Sequence, residues 1–205
     1  MNHAPSPLPN VTVAVQSDDL EDCVGVPAPE WLAAAVRHGL AQALPADTVG
    51  QVSLLITDDA TVRELNRQYR GLDETTDVLS FSAEHGGHWE GTDTSSPLTG
   101  EGWGENEPPG QFPIPDDEPP PIGDIVVSLP YAARQAEQQG IPLCRELALL
   151  LVHGALHLLG HDHYDDGERA EMQQLERLAL DAFSSESGFT GSYHRHPCER
   201  TSPRT

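Results

Sequence analysis

Apolar residues along this chain alternate at a period of two in some stretches and recur every three to four positions in others. This marks out strands and helices in alternation. Val11 to Val15 alternates and is rich in β-branched residues, which predicts a first strand. Pro29-Glu30 opens a helix whose apolar positions run through Trp31, Ala34, Val36 and Leu40, with proline in the first turn, where its missing N–H costs nothing. Gln51 to Thr57 reads as a second strand. Asp58 and Asp59 are good caps for a helix over Ala60–Tyr69 with an inner face of Val62, Leu65 and Tyr69. Asp77 to Ala83 predicts a third strand and Asp124 to Leu129 a fourth. Helices follow over Pro130–Gln139, stopped by Gly140, then from Pro142 onward, and finally over Glu168–Phe183 through Met172, Leu175, Leu178 and Phe183. Interleaving of this kind predicts a small mixed sheet of about four strands packed with about five helices.

Between the third and fourth strands the periodicity disappears. Glu84 to Ile122 holds nine acidic residues and no basic one, with many Gly and Pro and few aliphatics. Such a stretch has too little apolar surface to offset the entropy of ordering, so it is expected to be a disordered acidic insertion in a single domain spanning residues 1–183. Residues 184–205 are equally aperiodic and read as a flexible tail. The chain has 205 residues, only 37% of them hydrophobic, and a formal net charge of −22. That charge counts against a large basic footprint for nucleic acid. Cys23, Cys144 and Cys198 are widely spaced and odd in number, which argues for a reducing compartment and against a disulfide framework or thiolate zinc site. With no apolar segment of spanning length and no secretory pattern at Met1–Asn10, a cytoplasmic protein away from membranes is expected.

The densest chemistry lies at the end of the apolar run that begins near Leu147. His153 and His157 are four residues apart, one helical turn above the other on the same face. Gly160 can take the left-handed conformation that ends a helix, and the reversal can return His163 to the point the first two face. A histidine on an apolar helix is ordinarily a hydrogen-bonded core residue. Several imidazoles in the otherwise apolar stretch Leu149–Leu159 are costly to desolvate unless something compensates. Three neutral nitrogens with a fourth position open describe a catalytic zinc site, one Zn²⁺ per chain held by His153, His157 and His163. Such a zinc can bind a water and lower its pKa towards neutrality. His161, in the turn, is expected to point elsewhere.

The spacing His-x3-His-x5-His is shared with metzincin proteases, which carry a glutamate general base directly after the first histidine. Here that position is Gly154, so a metalloprotease is the lesser alternative. A substrate already carrying negative charge needs a cation at its transition state instead. Arg63, Arg67 and Arg70 share one helix face. Glu64 and Asp73 are natural partners for the first two, whereas Arg70 sits at the helix end beside Gly71 and the Thr75-Thr76-Asp77 turn.

Four blocks together carry a resemblance to a known family: Leu65-Asn66-Arg67-Gln68-Tyr69-Arg70-Gly71-Leu72-Asp73, Thr76-Asp77-Val78-Leu79-Ser80-Phe81, Gly123-Asp124-Ile125, and His153-Gly154-x-Leu156-His157-Leu158-x-Gly160-x-Asp162-His163. In that order they resemble the YbeY family of metal-dependent endoribonucleases, over about Val11 to Phe183 apart from the insertion. The resemblance implies an α+β fold, a zinc on His153, His157 and His163 and a functional arginine at Arg70, with His153 among the catalytic residues. It also implies cleavage of single-stranded RNA, in maturation of the 3′ end of small-subunit ribosomal RNA and in ribosome quality control. The implied partners are ribosomal RNA and the small ribosomal subunit, with no role for DNA. A metal-containing ribosome-assembly factor with little catalysis of its own is the alternative that the acidic charge favours. Three features differ from the family pattern: the acidic segment replaces a hairpin, the overall charge is far more negative than an RNA enzyme suggests, and position 161 is His where an aromatic is common.

Overall fold

The computed structural model describes residues 9–17, 26–84, 119–163 and 165–187. Among the described residues four strands and five helices follow one another as β1 (Asn10–Ser17), α1 (Pro29–Leu40), β2 (Val49–Thr57), α2 (Asp59–Arg70), β3 (Val78–Ser82), β4 (Pro121–Ser128), α3 (Leu129–Gln139), α4 (Leu143–Leu158) and α5 (Asp166–Ser187). The sheet runs in the order β1-β2-β4-β3, with β1 and β4 parallel to β2 and β3 antiparallel to β4 at the edge. This is the mixed sheet expected from the alternating periodicities, in the α+β fold that the resemblance implies.

Local chemistry sets the ends of the helices. Asp58 caps α2, its side chain accepting from Thr61 N at 2.8 Å, and Ser128 caps α3 in the same way through Tyr131 N. Gly71 and Gly140 close the same two helices in the left-handed conformation, at φ 72° and 66°. Residues 85–118, where most of the expected acidic insertion falls, lie outside the described residues, as do Tyr164 and everything after Ser187. The strand after that segment starts earlier than expected. Pro121 pairs with Gln51, Pro120 accepts from Gln51 N at 2.9 Å, and Ala83 N donates to Ile122 O at 3.0 Å. Proline is tolerated there because it opens the strand. Similarly, α5 continues through Ser184 to Ser187, past the expected start of the tail. His38 Nε2 meets Glu186 at 3.0 Å on that extra turn.

The main core lies on one sheet face. Val52, Leu54, Ile56, Ile125 and Val127 meet Leu32, Val36 and Leu40 of α1 and Leu147, Leu151, Ala155 and Leu158 of α4, all buried. On the other face α2 covers a smaller cluster of Val62, Leu79 and Val126. The inner face of α2 departs from the apolar reading. Tyr69 is 58% exposed while Asn66 is buried, its amide donating to Glu74 O at 2.8 Å and so tying down the loop before β3. The amide nitrogen reaches a backbone carbonyl of the loop that follows the helix, a partner an aromatic ring could not use, while Asn66 Oδ1 is buried without a hydrogen-bond partner. On α5, likewise, Leu178 is solvent-facing, and the buried stripe is Met172, Ala179 and Phe183. Phe183 packs edge-on against Trp31 at 4.9 Å, so α5 lies over α1 as well as α4.

Candidate metal centre

Helix α4 is the most buried helix of the fold, with Leu147, Leu150, Leu151, Val152, Ala155, Leu156 and Leu158 all inaccessible. At about 1.5–3 kcal/mol for each buried aliphatic side chain, this packing holds the helix against local motion. His153 and His157 stand on its remaining partly open face, ring centroids 4.5 Å apart and nearly perpendicular. Leu156 and His157 carbonyls then accept from His161 N (3.2 Å) and Gly160 N (3.1 Å), the pair of bonds that defines a Schellman termination, with Gly160 at φ 83°. Only glycine takes that angle without strain, and the reversal it permits carries His163 back over the helix end. The His163 ring lies 5.7 Å from His153, stacked, and 5.3 Å from His157. His161 spends its backbone N–H on the termination, and its ring is not in the convergent group.

One ligand atom from each of His153, His157 and His163 falls within 4.8 Å of the other two, and these three can hold a metal ion. The Nε2 atoms of His153 and His157 are 3.0 Å apart. Tetrahedral zinc with Zn–N near 2.0 Å needs ligand nitrogens ~3.3 Å apart, so that edge requires only a small adjustment. Burial first, and the neighbouring His153 second, push the His157 pKa down to about 4. The imidazole is therefore neutral at physiological pH, the form in which it ligates. The donor set fits a borderline-soft divalent ion, and no carboxylate or thiolate joins it among the described residues.

The surroundings explain two sequence features and add one residue. A side chain at Gly154 would bring its Cβ to 3.1 Å from both Ile125 Cγ2 and Ser80 Oγ, so this position faces the sheet, leaving no room for a metzincin-type glutamate. Arg63 pairs with Asp73 (2.8 and 3.0 Å) and Arg67 with Glu64 (2.6 and 3.1 Å), so both belong to the solvated face. Arg70 lies half-buried at the end of α2. That end and the metal centre converge on the same end of β3. Tyr69 packs edge-on against Phe81 at 5.2 Å, and the adjacent Ser82 donates through Oγ to the Leu158 carbonyl at 2.8 Å. The added residue is Glu176 of α5, whose carboxylate lies 2.7 Å from His153 Nδ1. Its one sequence signal is a carboxylate four residues after Met172 and three before Ala179, inside the buried stripe of an amphipathic helix.

The profile of the family described as Endoribonuclease YbeY matches residues 26–184. The chain belongs to the YbeY endoribonuclease family. A protein named Endoribonuclease YbeY from Moorella thermoacetica is 40% identical over 75% of this chain and 88% of its own length. Another of that name from Persephonella marina is 40% identical over 63% of this chain and 65% of its own length. The solution structure of TM1509 from Thermotoga maritima superposes with a TM-score of 0.51 at 19% identity, covering 95% of this chain and 99% of that one. It attests to the fold alone. YbeY membership places this histidine cluster in a family of endoribonucleases.

Proposed function

We propose that this protein is a zinc-dependent endoribonuclease that cuts single-stranded RNA, with His153, His157 and His163 as the metal ligands. The observation that carries this reading is the convergence of three imidazoles on one point beside the end of β3. When bound, the metal would supply Lewis acidity and a water made acidic enough to attack near neutral pH. The chain's own part is positional and electrostatic. His157 is kept neutral by burial, and Gly160 fixes the approach of His163. Arg70 would orient the scissile phosphate and offset charge building on its oxygens, a role suited to a planar guanidinium. The narrow fit of Gly154 against Ser80 and Ile125 supports a reaction without a glutamate base at that position and speaks against peptide hydrolysis.

Following the family, the substrate class is ribosomal RNA. The working place is maturation of the small-subunit RNA 3′ end and ribosome quality control, in the cytoplasm. The test combines metal analysis of the purified protein with cleavage of a single-stranded RNA, with and without chelator. His157→Ala and Arg70→Glu should each abolish cleavage, and full activity in either variant refutes the role given to that residue. Depletion of the protein in its host should leave small-subunit RNA with extended 3′ ends. The net charge of −22 favours one rival, a ribosome-assembly factor with little catalysis. Ribosome association that persists after metal removal, with no RNA cleavage by the loaded protein, would establish that rival.

A further inference from the structure

Glu176 sits where a carboxylate is expensive. It lies on the face of α5 that Met172 and Ala179 bury against Val152 and Leu156 of α4, and its side chain is only 16% exposed. An ionised group in such a place is tolerated only when paired and hydrogen-bonded. Its partner is His153, itself 26% exposed, through the 2.7 Å contact between Oε1 and Nδ1. A carboxylate can only accept, so Nδ1 carries the proton and donates. In the neutral ring the other nitrogen, Nε2, then bears the lone pair, and it is Nε2 that faces His157 at 3.0 Å. Nδ1 and Nε2 lie on opposite edges of an imidazole, so the carboxylate stands behind the ligand and outside the coordination sphere.

We infer that Glu176 is a positioning residue of the metal centre, holding His153 in the tautomer and ring orientation that present Nε2 to the metal. The inference rests on the zinc reading above and extends it to a second helix. With Glu176 in place, the site depends on α5 docking as well as on α4 and the Gly160 reversal. Two neighbours make the assignment specific. His157 has a hydrogen bond with the His161 backbone, and His163 is exposed beside Asp162. Among the three imidazoles, His153 is the one oriented by a carboxylate from another helix. Outer partners of metal-bound histidines raise ligand basicity and fix the ring, and their loss typically costs 10–100-fold in metal affinity.

The test uses the full chain with metal removed, titrated with zinc alone against a chromophoric chelator, in wild type, Glu176→Gln and Glu176→Ala. Histidine ¹⁵N shifts of the apo proteins read the His153 tautomer directly. Wild type should carry its proton on Nδ1. Glu176→Gln, whose amide oxygen still accepts, should keep that tautomer and most of the zinc affinity. Glu176→Ala should lose the single tautomer and bind zinc about 10–100-fold more weakly. A residue that merely ties α5 to α4 would move the melting temperature without touching the tautomer. Zinc binding by Glu176→Ala equal to wild type, or a wild-type His153 protonated on Nε2, overturns the inference. Should Glu176→Ala fail to fold, the wild-type tautomer and the glutamine variant decide it alone. Failure of wild type to bind zinc would sink the metal reading itself, a separate outcome from wild-type binding that Glu176→Ala matches.

Discussion

Gly39 in the last turn of α1 is where the scaffold behind the metal ligands can be probed most sharply. A Cβ placed there would meet Ala155 Cβ at 2.8 Å and, behind it, the backbone of Val152 at 3.1 Å (O) and 3.2 Å (Cα). The first contact is closer than carbon atoms tolerate, and backbone cannot swing aside as a flexible side chain would. Forcing a methyl into a packed site typically costs about 1–3 kcal/mol, against a gain of roughly 0.5–1 kcal/mol from replacing glycine by alanine in a helix. Gly39→Ala should therefore destabilise by about 1–2 kcal/mol. For a domain of this size that lowers Tm by roughly 2–8 °C. Urea and thermal unfolding, followed by far-UV circular dichroism on metal-free protein, give the number. Adding Ala155→Gly removes the nearest contact, so the double variant should show a coupling of about 0.5 kcal/mol or more in the relieving direction. Val152 and Ala155 flank His153, but His153 and His157 move together on α4, so zinc affinity should change little. A Gly39→Ala protein melting at or above wild type, or strictly additive variants, would refute a close α1–α4 contact at this point.

Acid should weaken the metal-free protein through His157. Its folded pKa of about 4 lies below the ordinary 6.5, so between these values the unfolded chain binds more protons. The associated stability is complete above pH 6.5, is lost as pH falls towards 4, and amounts to about 3 kcal/mol. The wild-type minus His157→Asn difference in unfolding free energy should shrink across that window, and a flat difference would contradict the burial argument. Replacing residues 85–118 by Asn-Gly removes eight acidic residues and no basic one while sparing Pro120–Ile122, which pair with β2 and Ala83. Fold and zinc content should be retained and RNA binding at low salt should tighten, because the segment leaves and rejoins the sheet beside the metal centre. Weaker binding, or unfolding, would make the segment structural.

Much of the site could be read from the chain because its determinants are local. A four-residue spacing places His153 and His157 on one face whatever surrounds the helix, and Gly160 permits the reversal that returns His163. Element types were legible for the same reason, as were the ion pairs that take Arg63 and Arg67 out of contention. What only the tertiary structure decided are relations between elements far apart in sequence. Glu176 reaches His153 across 23 positions because α5 docks on α4, and no periodicity along either helix encodes that contact. Asn66 displaces Tyr69 from the inner face of α2 because a loop carbonyl waits beneath it. Pro121 becomes strand because Gln51 offers it an edge. Hydrophobic pattern records which side of an element is apolar. Which partner that side meets, and which polar group is paired well enough to be buried there, is settled only when the helices and the sheet close on one another.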